Sequence, residues 1–267
     1  MSISQPQVSR TIQKVSNVLG ISLSKIHGEW DVKGDPTILN MLRRVHQEYR
    51  WSIGQPLRIE AQYYSGPLFC DPAPKGWIEG NFDYLEIHTP LQHLRHGVID
   101  AWMGCFPDVP EDDDPGLTSF PLTRLPVHLV VGENHPLLHL GDQITLEMIK
   151  QYPTLAMPDG AYPKIQKTVQ ELGLWMLVQD FDRFSQWQDK SLTPSDFVIG
   201  YANAFTISLF PNPQFILPLK IPLEVGDSLV VRRDYAAHPR LLKLLAHLRN
   251  RAQELANQYP DVSIPHP

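Results

Sequence analysis

The sequence predicts an α/β protein in which a helical amino-terminal segment precedes two lobes of alternating strands and helices. Three observations carry this. Apolar side chains repeat at helical spacing near the start of the chain. From Leu57 onward, β-rich runs alternate with helical ones, an order that implies parallel α/β units. The 267 residues, 42% hydrophobic and 19% charged, suffice for one large or two to three small cored domains. Two cysteines, Cys70 and Cys105, lack CxxC spacing and build no disulfide framework, which fits a reducing compartment. No apolar run approaches the roughly 18 to 20 residues of a membrane span, and the start lacks the pattern of a signal peptide. A cytoplasmic protein without membrane contact is expected.

Ser4 can cap a helix, Val8, Ile12, Val15 and Leu19 then share one face, and Gly20 stops the run. The opposite face carries Gln5, Gln7, Ser9, Arg10 and Gln13, side chains able to hydrogen-bond base edges or phosphates. Taken alone, this is equally an ordinary amphipathic surface helix. The order SQPxVSRxIxKxxxxLGxxL, Ser4 to Leu23, closely resembles the recognition helix of LysR-type transcriptional regulators. The resemblance implies contacts to operator DNA from Ser4, Gln5, Pro6, Ser9, Arg10, Gln13 and Lys14. Charge points the same way: residues 1–52 hold seven Lys/Arg against four Asp/Glu, and the remainder 16 against 25. A positive field therefore sits at the proposed recognition helix, ahead of an acidic body.

Residues 1–34 then form a partial winged helix-turn-helix. The family places a hairpin over Ile21 to Asp35, with a Phe and two arginines that touch the DNA backbone; here Ser24, Ile26 and Glu29 stand there instead, with Lys25 and Lys33 remaining. Fewer cations mean weaker phosphate anchoring. Family members carry some thirty residues before this motif, forming two supporting helices, whereas this sequence has Met1, Ser2 and Ile3. Two expectations follow: a true start upstream of Met1, or a vestigial DNA-binding segment. Asp35 and Pro36 next open a helix running to about Ser52. Ile38, Leu42, Val45 and Tyr49 recur at intervals of four, three and four, a two-heptad seam that either packs on the protein's own body or takes a partner helix. The resemblance assigns residues 35–53 as a linker helix that makes a homodimer or homotetramer.

The rest resembles the effector domain of the same family, a two-lobed fold of the type II periplasmic-binding-protein kind. Expected are lobe I over 54–124, lobe II over 125–227, and a return strand with a carboxy-terminal helix of lobe I over 228–267. Strands are expected at Leu57 to Tyr64, Tyr84 to Ile87, Ile99 to Met103, Leu125 to Val131, Thr154 to Met157, Leu174 to Val178, Phe205 to Phe210 and Ser228 to Arg233. Helices are expected at Leu91 to His96, Thr145 to Lys150, Tyr162 to Leu172, Asp196 to Ala204 and after Pro239. Gly97, Ile99 and Asp100 match the family's first half, and His135, Pro136 and Leu137 match the turn at its first hinge.

Common catalytic templates are missing: no GxSxG, GxGxxG, GxxxxGK or HExxH pattern occurs. His88, His93 and His96 come nearest to a metal set, but a solvated or capping role suits them better; neither metal nor cofactor is expected. Binding rather than turnover follows. Two hinged α/β lobes leave a crevice where helix N-termini offer free N–H groups to an anion, and a small carboxylate fits that physics. The resemblance places Ser65, Gly66, Thr89, Asp159, Gly160 and Asn203 around it, each equally readable as a turn or cap residue. Asp159 would repel an anion. The resulting expectation is a regulator that senses a small-molecule effector and reads double-stranded DNA, with no enzymatic activity. The alternative is a small-molecule-binding protein of the same two-lobed fold that has lost DNA binding.

Overall fold

Two glycines shape the amino-terminal part of the computed structural model, which describes residues 5–26, 29–174, 176–178, 183–186, 197–210 and 212–265. By contact the chain divides into a smaller unit, Met1–Gln55 with His96–Val98, and a larger one, Pro56–Arg95 with Ile99–Pro267. In the smaller unit, helix α1 (Gln5–Leu19) ends at Gly20, whose φ of 68° is the left-handed conformation that glycine adopts without strain. Strands β1 (Ile21–Ile26) and β2 (Glu29–Gly34) then pair antiparallel, from Ile21 opposite Gly34 to Ile26 opposite Glu29. A Cβ on Gly34 would come within 2.9 Å of the Gly20 carbonyl, so the bare backbone lets the hairpin close beside the helix end. The winged hairpin expected at this place therefore forms despite its altered side chains.

Just before helix α2 (Thr37–Ile53), the Asp35 carboxylate accepts from the Thr37 backbone N–H at 3.0 Å and its hydroxyl at 2.6 Å. The helix stops at Gly54, again left-handed. One face buries Gln47, Arg50 and Trp51.

The larger unit is organised by one strand. In β11 (Phe215–Arg232) the first half pairs with β7 (Leu125–Val131), the second with β5 (Ala101–Phe106) and with β6 (Leu117–Pro121). The full order is β10–β7–β11–β5–β3–β4, where β3 is Leu57–Ala61, β4 is Trp77–Glu79 and β10 is Gly200–Ala202. Strands β4, β3 and β5 run parallel to one another, and the pairs made by β11 and β10 are antiparallel. A separate parallel pair joins β8 (Thr154–Met157) to β9 (Met176–Val178). Helices α3 (His88–Arg95), α4 (Leu146–Ile149), α5 (Pro163–Glu171) and α6 (Pro239–Gln258) complete it. Helix α6 begins at Pro239, with His238 Nδ1 accepting from the Arg240 N–H, and buries Leu241, Leu244, Leu245, Leu248, Ala252 and Leu255 in one stripe.

Several expected elements need correction. Tyr84 to Ile87 is not a strand: Tyr84 makes only an isolated bridge to Arg183, and Glu86 turns to accept from the His88 and Thr89 N–H groups at the start of α3. Capping a helix outcompetes the strand, and Trp77–Glu79 takes the place beside β3 instead. The first strand stops at Ala61, short of Tyr64. Within the expected helix Asp196 to Ala204, the described residues include β10, held antiparallel to β7. The expected strand Phe205 to Phe210 is a turn leading into a short 3-10 helix, Ile207–Leu209. The return strand begins at Phe215, not Ser228; its pairing shifts between Ile216 and Lys220 and again between Lys220 and Glu224, where Pro218 and Pro222 have no N–H to give the ladder.

Candidate functional site

Where β3 ends, the chain turns inward through Gln62, Tyr63, Tyr64 and Ser65. The Gln62 N–H donates to the Met103 carbonyl at 3.2 Å, and the Gly66 N–H returns to the Gln62 carbonyl at 2.8 Å. Gly66 lies under Phe82, and a Cβ there would meet the ring at 2.5 Å. Opposite this turn is a cavity of about 100 Å³. Gln62, Tyr63 and Tyr64 form one wall, Tyr162 and Ile165 from the start of α5 another, Tyr201 and Asn203 at β10 a third, and Leu223 and Val225 of β11 close it. The expected site residue Asn203 is thus part of the wall; Tyr162, Tyr201 and Gln62 were missed by sequence.

Among the described residues, no lysine, arginine, histidine or carboxylate lines this cavity. Among the lining residues, both ends of the Gln62 carboxamide and the Tyr64, Tyr162 and Tyr201 hydroxyls are themselves buried without a hydrogen-bond partner of good geometry. Burial pushes the Tyr162 hydroxyl well above its usual range and Tyr201 up to about 12, so both are neutral donors. Burial likewise pushes the Cys105 thiol up to about 12, which keeps it from acting as a thiolate nucleophile.

The helix N-termini expected to receive an anion are occupied by the protein's own carboxylates. At α3, Glu86 accepts from the His88 N–H and, at 3.0 Å, from the N–H of the expected site residue Thr89. At α5, Asp108 accepts from Lys164 and Ile165 at 2.7 and 3.1 Å. Asp159 is exposed, while the Gly160 N–H donates to Gln166 at 3.0 Å and the Gly160 carbonyl lies 3.0 Å from His88 Nε2. In Asn203, the side-chain oxygen accepts from Phe205 and Thr206 N–H groups at 2.9 and 3.1 Å.

Beside the cavity the chain crosses itself. The Thr123 hydroxyl donates to Asp227 Oδ2 at 2.7 Å and accepts from the Asp227 N–H at 2.9 Å, and a Cβ on Gly226 would lie 2.0 Å from the Thr123 carbonyl. Ser65 is fully buried here rather than on the cavity wall. Neither its hydroxyl nor Asp227 Oδ1 meets strict hydrogen-bond geometry with any partner, yet the Ser65 hydroxyl is close enough to pull the Asp227 carboxyl down against the larger upward effect of burial. The crossing is therefore a tight, incompletely satisfied polar node between strands of both halves of the sheet.

In the smaller unit, Gln5, Pro6, Ser9, Arg10, Gln13 and Lys14 all lie exposed on α1. Gln5, Ser9 and Gln13 form one row at four-residue spacing and Pro6, Arg10 and Lys14 the adjoining one, a single broad surface. Ser4 lies outside the described residues. On α2, Ile38, Leu42, Val45 and Tyr49 are 51–67% exposed among the described residues. Among the described residues no group of three His, Cys, Asp or Glu could hold a metal, and His93 lies 3.2 Å from Glu60. No helix among them is long and apolar enough to cross a membrane.

Residues 83–253 match the model of the LysR substrate binding domain. A full-length OxyR variant from Pseudomonas aeruginosa is similar in structure, with a TM-score of 0.58 and 18% identity over 94% of this chain and 89% of that one. Full-length CbnR in complex with its target DNA gives 0.57 and 16% over 94% and 91%, and full-length BenM 0.55 and 17% over 96% and 89%. At such identities the likeness speaks for the fold, a two-lobed type II periplasmic-binding-protein-like architecture behind an amino-terminal helical unit. No curated relative matches by sequence.

Proposed function

The chain belongs to the LysR-type transcriptional regulator family, and on that premise we propose that it binds operator DNA through α1 and senses a small-molecule effector in the cavity beside β11. The observation that carries the reading is the pairing, in one unit, of an exposed Gln, Ser, Arg and Lys surface on α1 with an exposed apolar seam on α2. Two copies joined along α2 would present two α1 surfaces, the arrangement that a two-fold operator requires. Effector binding changes DNA affinity to the extent that the ligand prefers one arrangement of the two halves of the sheet. Between those halves runs β11, whose crossing with Thr123 is the joint such a change would use. Binding, not turnover, is the role assigned to the cavity: its lining holds neutral tyrosines, a carboxamide and an un-ionised thiol.

A second reading, a small-molecule-binding protein without DNA affinity, draws on α1 itself. Ser16 is the one residue of the helix that is buried, and Val8, Val15 and Val18 of its apolar side lie uncovered. A gel-shift titration of the full chain on a mixed-sequence duplex at about 50 and about 200 mM salt separates the two. Regulation predicts binding that weakens steeply with salt, and an Arg10→Ala, Lys14→Ala pair that lowers the salt slope by about two. Absent or salt-independent binding leaves the second reading alone.

A further inference from the structure

Taking the cavity as the effector site, its size bears on how a ligand enters. At about 100 Å³ it is smaller than the roughly 150 Å³ that holds benzene, so an effector needs the two halves of the sheet to part. Helix α5 and residues 183–186 belong with β7 and β10, since they follow β8 and β9, and Thr154 of β8 bridges to Ile199 beside β10. Both are gripped from the other half. Asp108, 3% exposed and just past β5, accepts with its two oxygens from the Lys164 and Ile165 N–H groups at 2.7 and 3.1 Å, and Lys164 Nζ pairs with Glu111 beside it. Asp83, past β4, holds the other segment. Its carbonyl accepts from the Phe184 N–H at 2.8 Å, its Oδ1 from the Ser185 N–H at 2.8 Å and its Oδ2 from the Ser185 hydroxyl at 2.7 Å. Phe184 in turn stacks on Tyr63, part of the cavity wall, with ring centroids 4.2 Å apart.

We propose that these contacts form an autoinhibitory clasp, in which Asp83 and Asp108 draw the two halves together over the cavity and let go before an effector enters. The N–H groups at the start of α5 are ones that an anionic ligand could use to close the halves upon itself; here the chain's own acid takes that place. Hydrogen bonds from backbone N–H to carboxylate are strong, yet water can replace them where they reach the surface, as at Ser185, which is exposed. Such a contact holds firmly and still releases. An effector then meets only the fraction of molecules whose clasp is open, and its apparent dissociation constant rises by the inverse of that fraction. Glu86 supplies the contrast: it caps α3 from within its own half and so cannot hold the halves together.

Thiol labelling reads the open fraction with iodoacetamide as the only probe. Cys105 lines the cavity and Cys70 does not, yet burial pushes both thiols up to about 12, so each reacts only when its surroundings open. Labelling of the full chain, resolved by peptide mass spectrometry, should run at least about tenfold faster at Cys105 in the Asp83→Asn, Asp108→Asn pair, with Cys70 unchanged; one lost hydrogen bond to a charged group suffices for that factor. Ser185→Ala should speed Cys105 severalfold, and Glu86→Gln should leave the ratio of the two rates as it is. Rates rising equally at both cysteines would make the two acids plain stabilisers of the whole unit and overturn the clasp. So would an unchanged Cys105 rate, or an equal gain in Glu86→Gln. If the pair does not fold, Asp83→Asn with Ser185→Ala decides by the same ratio. Absent DNA binding would retire the regulator and leave the labelling result standing, whereas an unmoved Cys105 would retire the clasp and leave the regulator.

Discussion

Helices α2 and α6 carry the same kind of apolar stripe and meet opposite fates. In α6, Leu241, Leu244, Leu245, Leu248, Ala252 and Leu255 are all buried, whereas the seam of α2 stands open along its length. The difference teaches that heptad-like patterning records a need for burial without saying which molecule supplies it. On α6 the rest of the larger unit answers that need from within the chain. On α2 four large apolar side chains stay exposed among the described residues, and their two-heptad register suits a second copy of the same helix.

The largest expected effect separates the two stripes directly. Leu248→Ala should cost about 2 to 5 kcal/mol of unfolding free energy, read from urea midpoints, because a fully buried leucine leaves a cavity. Leu42→Ala should cost well under about 1 kcal/mol by the same measurement at protein concentrations too low for association, its effect appearing only in self-association. Equal losses would erase the contrast.

A second effect probes how closely the larger unit is filled. Gly226→Ala puts a methyl 2.0 Å from the Thr123 carbonyl, and backbone cannot step aside as a side-chain tip can. A loss of about 1 to 3 kcal/mol is expected. Gly20→Ala in the smaller unit meets no neighbouring atom and should lose only about 1 kcal/mol through its left-handed backbone.

A pH-dependent effect concerns Asp227, where burial pushes the carboxyl up to about 7 from 3.8. The unfolded chain releases this proton at about pH 4 and the folded chain at about 7, so the folded state holds an extra proton in between. Stability from this group is complete below about pH 4, falls across the window, and is flat above it. Asp227→Asn, which keeps the shape of the protonated acid, should flatten the profile and gain up to roughly 4 kcal/mol at about pH 8 relative to about pH 4. Urea midpoints at those two pH values check this; a stability that rises through the window would contradict it.

Much of this contrast could be read from residues alone. The strands Leu125–Val131 and Thr154–Met157 and the helices around α2, α5 and α6 were legible because long apolar periodicities and strong caps agree with their surroundings. Lobe II went wrong where turn chemistry decided the outcome. Asn203 and Thr206 form a reciprocal box, with the Asn203 N–H donating to Thr206 Oγ1 at 2.9 Å while Asn203 Oδ1 accepts from the Thr206 N–H. The spacing Asn-x-x-Thr signalled this, yet the aromatic residues after it read as a strand. The site was half legible for the same reason. Ser65, Gly66, Thr89, Gly160 and Asn203 stand out as turn residues, but most of them serve the turns themselves. Gln62 escaped notice, although an uncharged polar residue at the end of the strand LRIEA is the available clue. Nothing local could show that Asp108 would occupy a helix end, since Asp108 and α5 lie more than fifty residues apart, whereas Glu86 stands only two residues before α3.

Sedimentation velocity on the full chain, across concentrations and beside Val45→Asp, tests most directly the claim that α2's open seam is completed by a second copy. The account predicts a dimer or tetramer that Val45→Asp converts to a folded species of 30.4 kDa, with association weakened by at least about 100-fold. A wild-type chain that sediments as that monomer at all concentrations, or an assembly that tolerates Val45→Asp unchanged, would contradict it.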